Sequence, residues 1–223
     1  MFRRLIIVFV GTLLPTAARP ASAQDCPELV YRPPYGSAQA IAVSGDYAYF
    51  GSGSALMVAS ISNPTAPQVV GDVALPETVL GVAVSGGYAY VADELAGLRV
   101  VDVSTPSFPV EVGSVDTPGL AYDVAVSGDY AYVAGYDAGL RVIDVSDPSA
   151  PVEVGYFDTP SSAWGVALLG SHAYVADYET GLVVIDVSTP TAPVEVGFVG
   201  LPWALVNDVD VAGGYAYVTT ENA

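Results

Sequence analysis

The chain of 223 residues sets 24 acidic side chains against six arginines and no lysine, a net charge of −18, while 52% of its residues are apolar. A field of that sign repels nucleic acid and anionic lipid, so neither is an expected partner. The apolar fraction suffices for a substantial core, and a single cysteine excludes an internal disulfide.

Residues 1–23 read as a signal peptide. Arg3 and Arg4 precede an apolar stretch from Leu5 to Leu14, and Ala21-Ser22-Ala23 places small residues at the two cleavage-determining positions. That stretch of about ten residues is half of the roughly twenty that span a bilayer, so no integral membrane segment is expected after cleavage. The mature chain, starting at Gln24, is expected to be exported: extracellular, at the cell surface or periplasmic. Cys26 lies just beyond the cleavage site. Ala23-Gln24-Asp25 lacks the small residue directly before the cysteine that lipid acceptors carry, so Cys26 reads as a linker thiol. Residues 24–38 form a linker, in which Pro27-Glu28-Leu29-Val30 matches a later repeated strand and is a candidate ring-closing strand.

From residue 39 onward a unit of about 42 residues recurs, as 39–79, 80–121, 122–163, 164–206 and a partial 207–223. One block reads AIAVSGDYAYF, GVAVSGGYAYV, DVAVSGDYAYV, GVALLGSHAYV and DVDVAGGYAYV, beginning at Ala40, Gly81, Asp123, Gly165 and Asp208. Between these copies sits a second block, such as GLRVVDVSTPSFP from Gly97. The apolar runs are short, rich in Val, Ile and Tyr, and bounded by Gly, Pro, Asp or Ser, which is the pattern of strands. For the second unit the runs predict strand A at 81–85, B at 88–92, C at 98–103 and D at 110–115. Gly86-Gly87 and Gly128-Asp129 suit tight A–B hairpins. Ser-x-Pro steps, as at Ser104-Thr105-Pro106, end strand C because proline has no N–H for a ladder. Seventeen prolines and twenty-three glycines at loop positions leave no room for a helical solenoid. The expected fold is therefore all-β: a β-propeller of four-stranded blades, four blades plus a partial fifth. The last copy stops where Gly-Leu and strand C are due, which reads as truncation at the C-terminus.

The blocks Tyr90-Val91-Ala92-Asp93 and Gly97-Leu98-Arg99-Val100-Val101-Asp102-Val103-Ser104, repeated from Tyr174 to Pro193, resemble the LVIVD-repeat family. The resemblance runs from about Ala40 to the C-terminus. It implies a β-propeller on an exported or surface protein of bacteria or archaea, and no established catalytic activity. The first copy departs from the pattern, with Ala55 for Gly, Ser60 for Asp and Gly51 for Ala, as a terminal repeat does.

Chemistry-bearing residues are sparse. The only histidine, His172, fills the column held by Tyr47, Tyr88, Tyr130 and Tyr215, so it reads as a substituted aromatic on strand B. No nucleophile elbow or calcium-loop motif is present. Asp102, Asp144 and Asp186 recur in identical surroundings before Ser-x-Pro, which marks them as hydrogen-bond acceptors in turns.

What differs between copies is more informative. The column just before strand A reads Gln39, Leu80, Tyr122, Trp164 and Asn207, and the B–C loops vary as well. In a propeller these connections share one face. That face is expected to gather Tyr122, Trp164, Trp203, Tyr136 and Tyr178 with Asp93, Asp137, Asp177 and Glu179 as a ligand-binding surface. Aromatic planes beside carboxylates suit a glycan or a basic protein. Asp210 breaks an alanine column two residues after Asp208, so both carboxylates project from one side of the strand and form a candidate Ca²⁺ pair. No other cofactor and no catalytic residue is indicated. The expected function is an exported binding or interaction module rather than an enzyme, for a protein or glycan at the cell envelope or outside the cell. The alternatives are a propeller hydrolase or lyase with a cation-assisted channel site, and a passive spacer in a larger surface protein.

Overall fold

The computed structural model describes residues 38–201 and 204–222. The expected signal segment, Cys26, the Pro27–Val30 strand and Trp203 lie outside the described residues. Eighteen strands form five antiparallel sheets with no helix among the described residues. The first sheet contains β1 (Ile41–Ser44), β2 (Tyr47–Gly51), β3 (Ala55–Ser60) and β4 (Gln68–Ala74). The second contains β5 (Gly81–Ser85), β6 (Tyr88–Ala92), β7 (Leu98–Asp102) and β8 (Val110–Val115), within one residue of the ranges read from the sequence. The third holds β9 (Asp123–Ser127), β10 (Tyr130–Ala134), β11 (Leu140–Asp144) and β12 (Val152–Phe157). The fourth holds β13 (Ala163–Leu169), β14 (His172–Asp177), β15 (Gly181–Asp186) and β16 (Val194–Gly200), and β17 (Ala204–Ala212) pairs β18 (Tyr215–Asn222) as the partial fifth. Strand order within each sheet follows the sequence, the meander of a propeller blade.

The hairpins have the chemistry their turns require. Gly86 and Gly87 both take positive φ, as a type I′ turn needs, whereas at Gly45-Asp46 and Gly128-Asp129 only the glycine does, the φ pattern of type II′. Strand C ends at the repeated aspartate. Asp102, Asp144 and Asp186 each accept the backbone N–H of the serine two residues on, at 2.8, 2.9 and 2.8 Å. These bonds close the turn before the proline and hold all three exposed carboxyls below their usual range.

The core lies between blades, not within them. The side of one blade that carries Tyr90, Ala92, Leu98 and Val100 packs on Val124, Val133 and Ile143 of the next, and the same arrangement joins Tyr132 and Leu140 to Val166 and Ile185. Strand A of each blade lies innermost, β1 against β5, β5 against β9, β9 against β13 and β13 against β17.

The outer rim carries a feature that alternation in the sequence conceals. Strand D of every complete blade contains a bulge: Val70, Val112, Val154 and Val196 are skipped in the pairing with strand C. A glycine follows each bulge. Gly71, Gly113 and Gly155 lie so close to the carbonyls of Pro106, Pro148 and Pro190 in the next blade's C–D turn that a Cβ has no space.

Candidate functional site: the central cavity and its aromatic rim

The starts of the five A strands surround a cavity of about 390 Å³. All five residues of the variable column line it: Gln39, Leu80, Tyr122, Trp164 and Asn207. One wall, from the first two blades, is apolar through Ala40, Ile41, Leu80 and Val82. The remaining lining adds Asp123, the first residue of β9, and Asp208, within β17.

These acids stand in an alternating ring. At the position held by Ala40, Gly81, Asp123, Gly165 and Asp208, each aspartate sits over the glycine of the blade before it. A Cβ on Gly165 would come within 2.8 Å of Asp208 Oδ1 and 2.9 Å of its Cα. Asp123 Oδ2 also accepts the N–H of Val166 from the following blade at 2.9 Å. Burial pushes Asp123 up to about 7 against the pull of its backbone hydrogen bonds, and the charge of Asp208 adds to the rise. Asp208 is raised too, first by burial and also by Asp210.

Four aromatic rings run from the cavity to the rim. Tyr136 stacks on Tyr122 at 5.3 Å, Tyr122 meets Trp164 at 4.7 Å, and Trp164 stacks on Tyr178 at 4.6 Å with 12° between planes. Tyr122 comes from a D–A connection, Trp164 from the start of strand β13, and Tyr136 and Tyr178 from B–C loops. The two loop types are joined by backbone bonds, Tyr136 to Ala163 in both directions and Tyr178 N–H to the Ser162 carbonyl. Trp164 Nε1 and Asn207 Oδ1 are buried without a hydrogen-bond partner.

The LVIVD repeat model matches residues 35–74, 78–117, 118–159, 160–200 and 205–223. The chain belongs to the LVIVD-repeat family. No curated protein matches it significantly.

The LVIVD units divide the expected binding face in two. Tyr122, Trp164, Tyr136 and Tyr178 come together as expected, and Asp137 and Glu179 are exposed in the B–C loops. Asp93 and Asp177 do not join them, because both are fully buried beneath the loops. Asp93 accepts the Glu77 N–H at 3.2 Å and faces Arg99 at 3.8 Å, and burial pushes it up to about 6. Asp177 accepts the Ser161 N–H at 3.0 Å and a hydroxyl bond from Thr180. Their work is to pin the D–A connection to the B–C loop.

Asp208 and Asp210 are both exposed residues; Asp208 lines the cavity, whereas Asp210 does not, and Asp210 Oδ1 accepts the N–H of Val211 at 2.7 Å. No group of three or more His, Cys, Asp or Glu side chains converges as a metal centre among the described residues. Asp123 is the acid that sequence reasoning passed over. Its signal was the Gly/Asp alternation in the first column of the LVIVD block, which acquires meaning only when successive blades are neighbours.

Proposed function

We propose that this chain is an exported β-propeller binding module that receives a protein or glycan ligand at the mouth of its central cavity. The observation that carries this reading is that a column occupied by a different residue in each of the five repeats lines one cavity. Scaffold positions repeat because every blade needs them, so variation concentrated on one concave surface is what a binding site imposes on a repeat protein. The aromatic ladder supports it further, since Tyr and Trp supply large contact area at low entropic cost. Export is supported by the Arg3–Ala23 signal pattern. The test is a panel of glycans and envelope proteins probed with the wild-type chain and with Trp164→Ala. Binding that the substitution weakens at least tenfold supports the module; a panel without any binder, or binding indifferent to Trp164, refutes it.

One observation favours a second reading, a hydrolase or lyase. Asp123 and Asp208 share the cavity, and a carboxyl raised to about 7 is suited to proton transfer near neutrality. Turnover of glycoside or uronide substrates that Asp123→Asn abolishes would establish it.

A further inference from the structure

We infer that the central cavity takes an ammonium group on an apolar stem, either a free alkylamine or a lysine side chain, with its charge at the Asp123 and Asp208 wall. This rests on the binding reading above and names the ligand chemistry of that same site. The volume of about 390 Å³ lies within the range of roughly 300–1,000 Å³ that small ligands occupy.

The walls state the chemistry. Ile41, Leu80 and Val82 offer an apolar surface to a stem, and the other side presents the Asp123 and Asp208 carboxylates. These attract a cation by charge and repel an anion. The faces of Tyr122 and Trp164 are taken up by the ladder itself and leave the charge to the carboxylates. A neutral sugar inside the cavity leaves the desolvated Asp123 carboxylate uncompensated.

The chain supplies no cation of its own to this wall among the described residues. Arg99 is engaged by Asp93, Glu111 and Asp116, and Arg141 by Glu153, and all four of those contacts lie away from the cavity lining. Two lining residues carry an unsatisfied polar atom, and they differ in kind. Asn207 Oδ1 is an acceptor that an ammonium N–H would satisfy, while Trp164 Nε1 is a donor that needs a carbonyl. A free amine brings only the first; a lysine within a peptide brings both.

The experiment titrates the full chain with n-butylammonium, its neutral isostere 1-butanol, acetate, cellobiose and Nα-acetyl-lysine methylamide, read by Trp fluorescence and by NMR shifts. Saturable butylammonium binding, at least tenfold tighter than 1-butanol or acetate and weakened at least tenfold in Asp123→Asn/Asp208→Asn, is the expected result. The comparison of isosteres needs no variant, so a failure of the double substitution to fold leaves it decisive. Tighter binding of the lysine derivative than of butylammonium assigns the source to a protein; equal or weaker binding assigns it to a free amine. Equal affinity for 1-butanol and butylammonium overturns the inference. Cellobiose binding without ammonium binding overturns it too, yet leaves the binding module standing. No binding of any probe, together with an empty panel for the proposed function, removes both.

Discussion

Asp123 rests on Gly81 so closely that a Cβ on the glycine would lie 2.6 Å from the aspartate's Cα and 2.9 Å from its Oδ1. The Cα is backbone and has nowhere to go without moving a blade. Gly81→Ala and Gly165→Ala should therefore each destabilise the fold by about 1–3 kcal/mol. Gly45→Ala meets nothing within 4 Å and suffers only from its φ of +58°, a cost on the order of 1 kcal/mol. Urea denaturation of the three variants checks the order; a Gly81→Ala protein as stable as wild type would remove the close approach.

Stability should fall as pH rises from about 4 to 7. Asp93, at about 6, and Asp123, at about 7, both bind their proton more tightly folded than unfolded. Such groups contribute stability that is complete below the unfolded value near 4 and is lost through the folded value, at a slope of up to roughly 1.4 kcal/mol per pH unit for each. The exposed Asp102, Asp144, Asp147 and Asp186 are lowered by hydrogen bonds to nearby serines, so their contribution is present above the unfolded value and fades as pH falls below it. The optimum is thus expected at mildly acidic pH. Asp123→Asn, which keeps an acceptor for the Val166 N–H, should flatten the decline toward neutrality, and thermal melts at pH 4.5 and 7.5 measure it. A wild-type protein more stable at the higher pH would contradict the burial of these carboxyls.

Arg99→Met should be far more damaging at pH 8 than at pH 5. Its guanidinium is the nearest cation to a fully buried Asp93, and stripping one partner from a buried pair costs about 3–5 kcal/mol when the other remains charged. At pH 5 Asp93 is protonated and the loss shrinks. The neighbouring blades carry the separated halves: Gly135 stands where the aspartate would be, and Arg141 turns to Glu153 at 3.4 Å and to the Tyr156 ring at 4.8 Å. In the fourth blade Val183 replaces the arginine, and Asp177 is held by Ser161 and Thr180 instead.

Tyr136 is held at φ +53°, an uncommon conformation for a bulky side chain, and its ring stacks on Tyr122. Tyr136→Gly releases strain of about 1 kcal/mol and forfeits a ring contact of about 0.5–1.5 kcal/mol, so stability should change little. Ligand affinity should fall about tenfold, or 1.4 kcal/mol. A calorimetric titration beside a thermal melt separates the two effects. A large loss of stability with unchanged affinity would make the ring a structural prop.

The period and the residue types sufficed for the blades because each strand is short, turn-bounded and repeated, so five copies vote on the same reading. The site was harder. Asp93 and Asp137 occupy the same kind of loop and are chemically alike, yet one is buried under it and the other faces solvent, a difference set by how the D–A connection folds over the B–C loop. Asp123 went unnoticed because its partners Gly81 and Val166 lie 42 and 43 residues away along the chain. The bulges at Val112 and Val154 were invisible because Val-Glu-Val-Gly alternates like a regular strand while the ladder skips a residue.

The rim glycines give the architecture a modular grammar. Gly71, Gly113 and Gly155 each receive the proline turn of the following unit alone, so every unit carries both the notch and the peg needed to join any copy of itself. A duplication or loss of a whole 42-residue unit would consequently leave the proline seams of the rim intact, whereas the glycine that each cavity aspartate needs beneath it allows the inner seam to be kept only when a Gly unit and an Asp unit travel together. Recombination of such pairs would then change which molecules the cavity admits while every blade keeps its neighbour's fit.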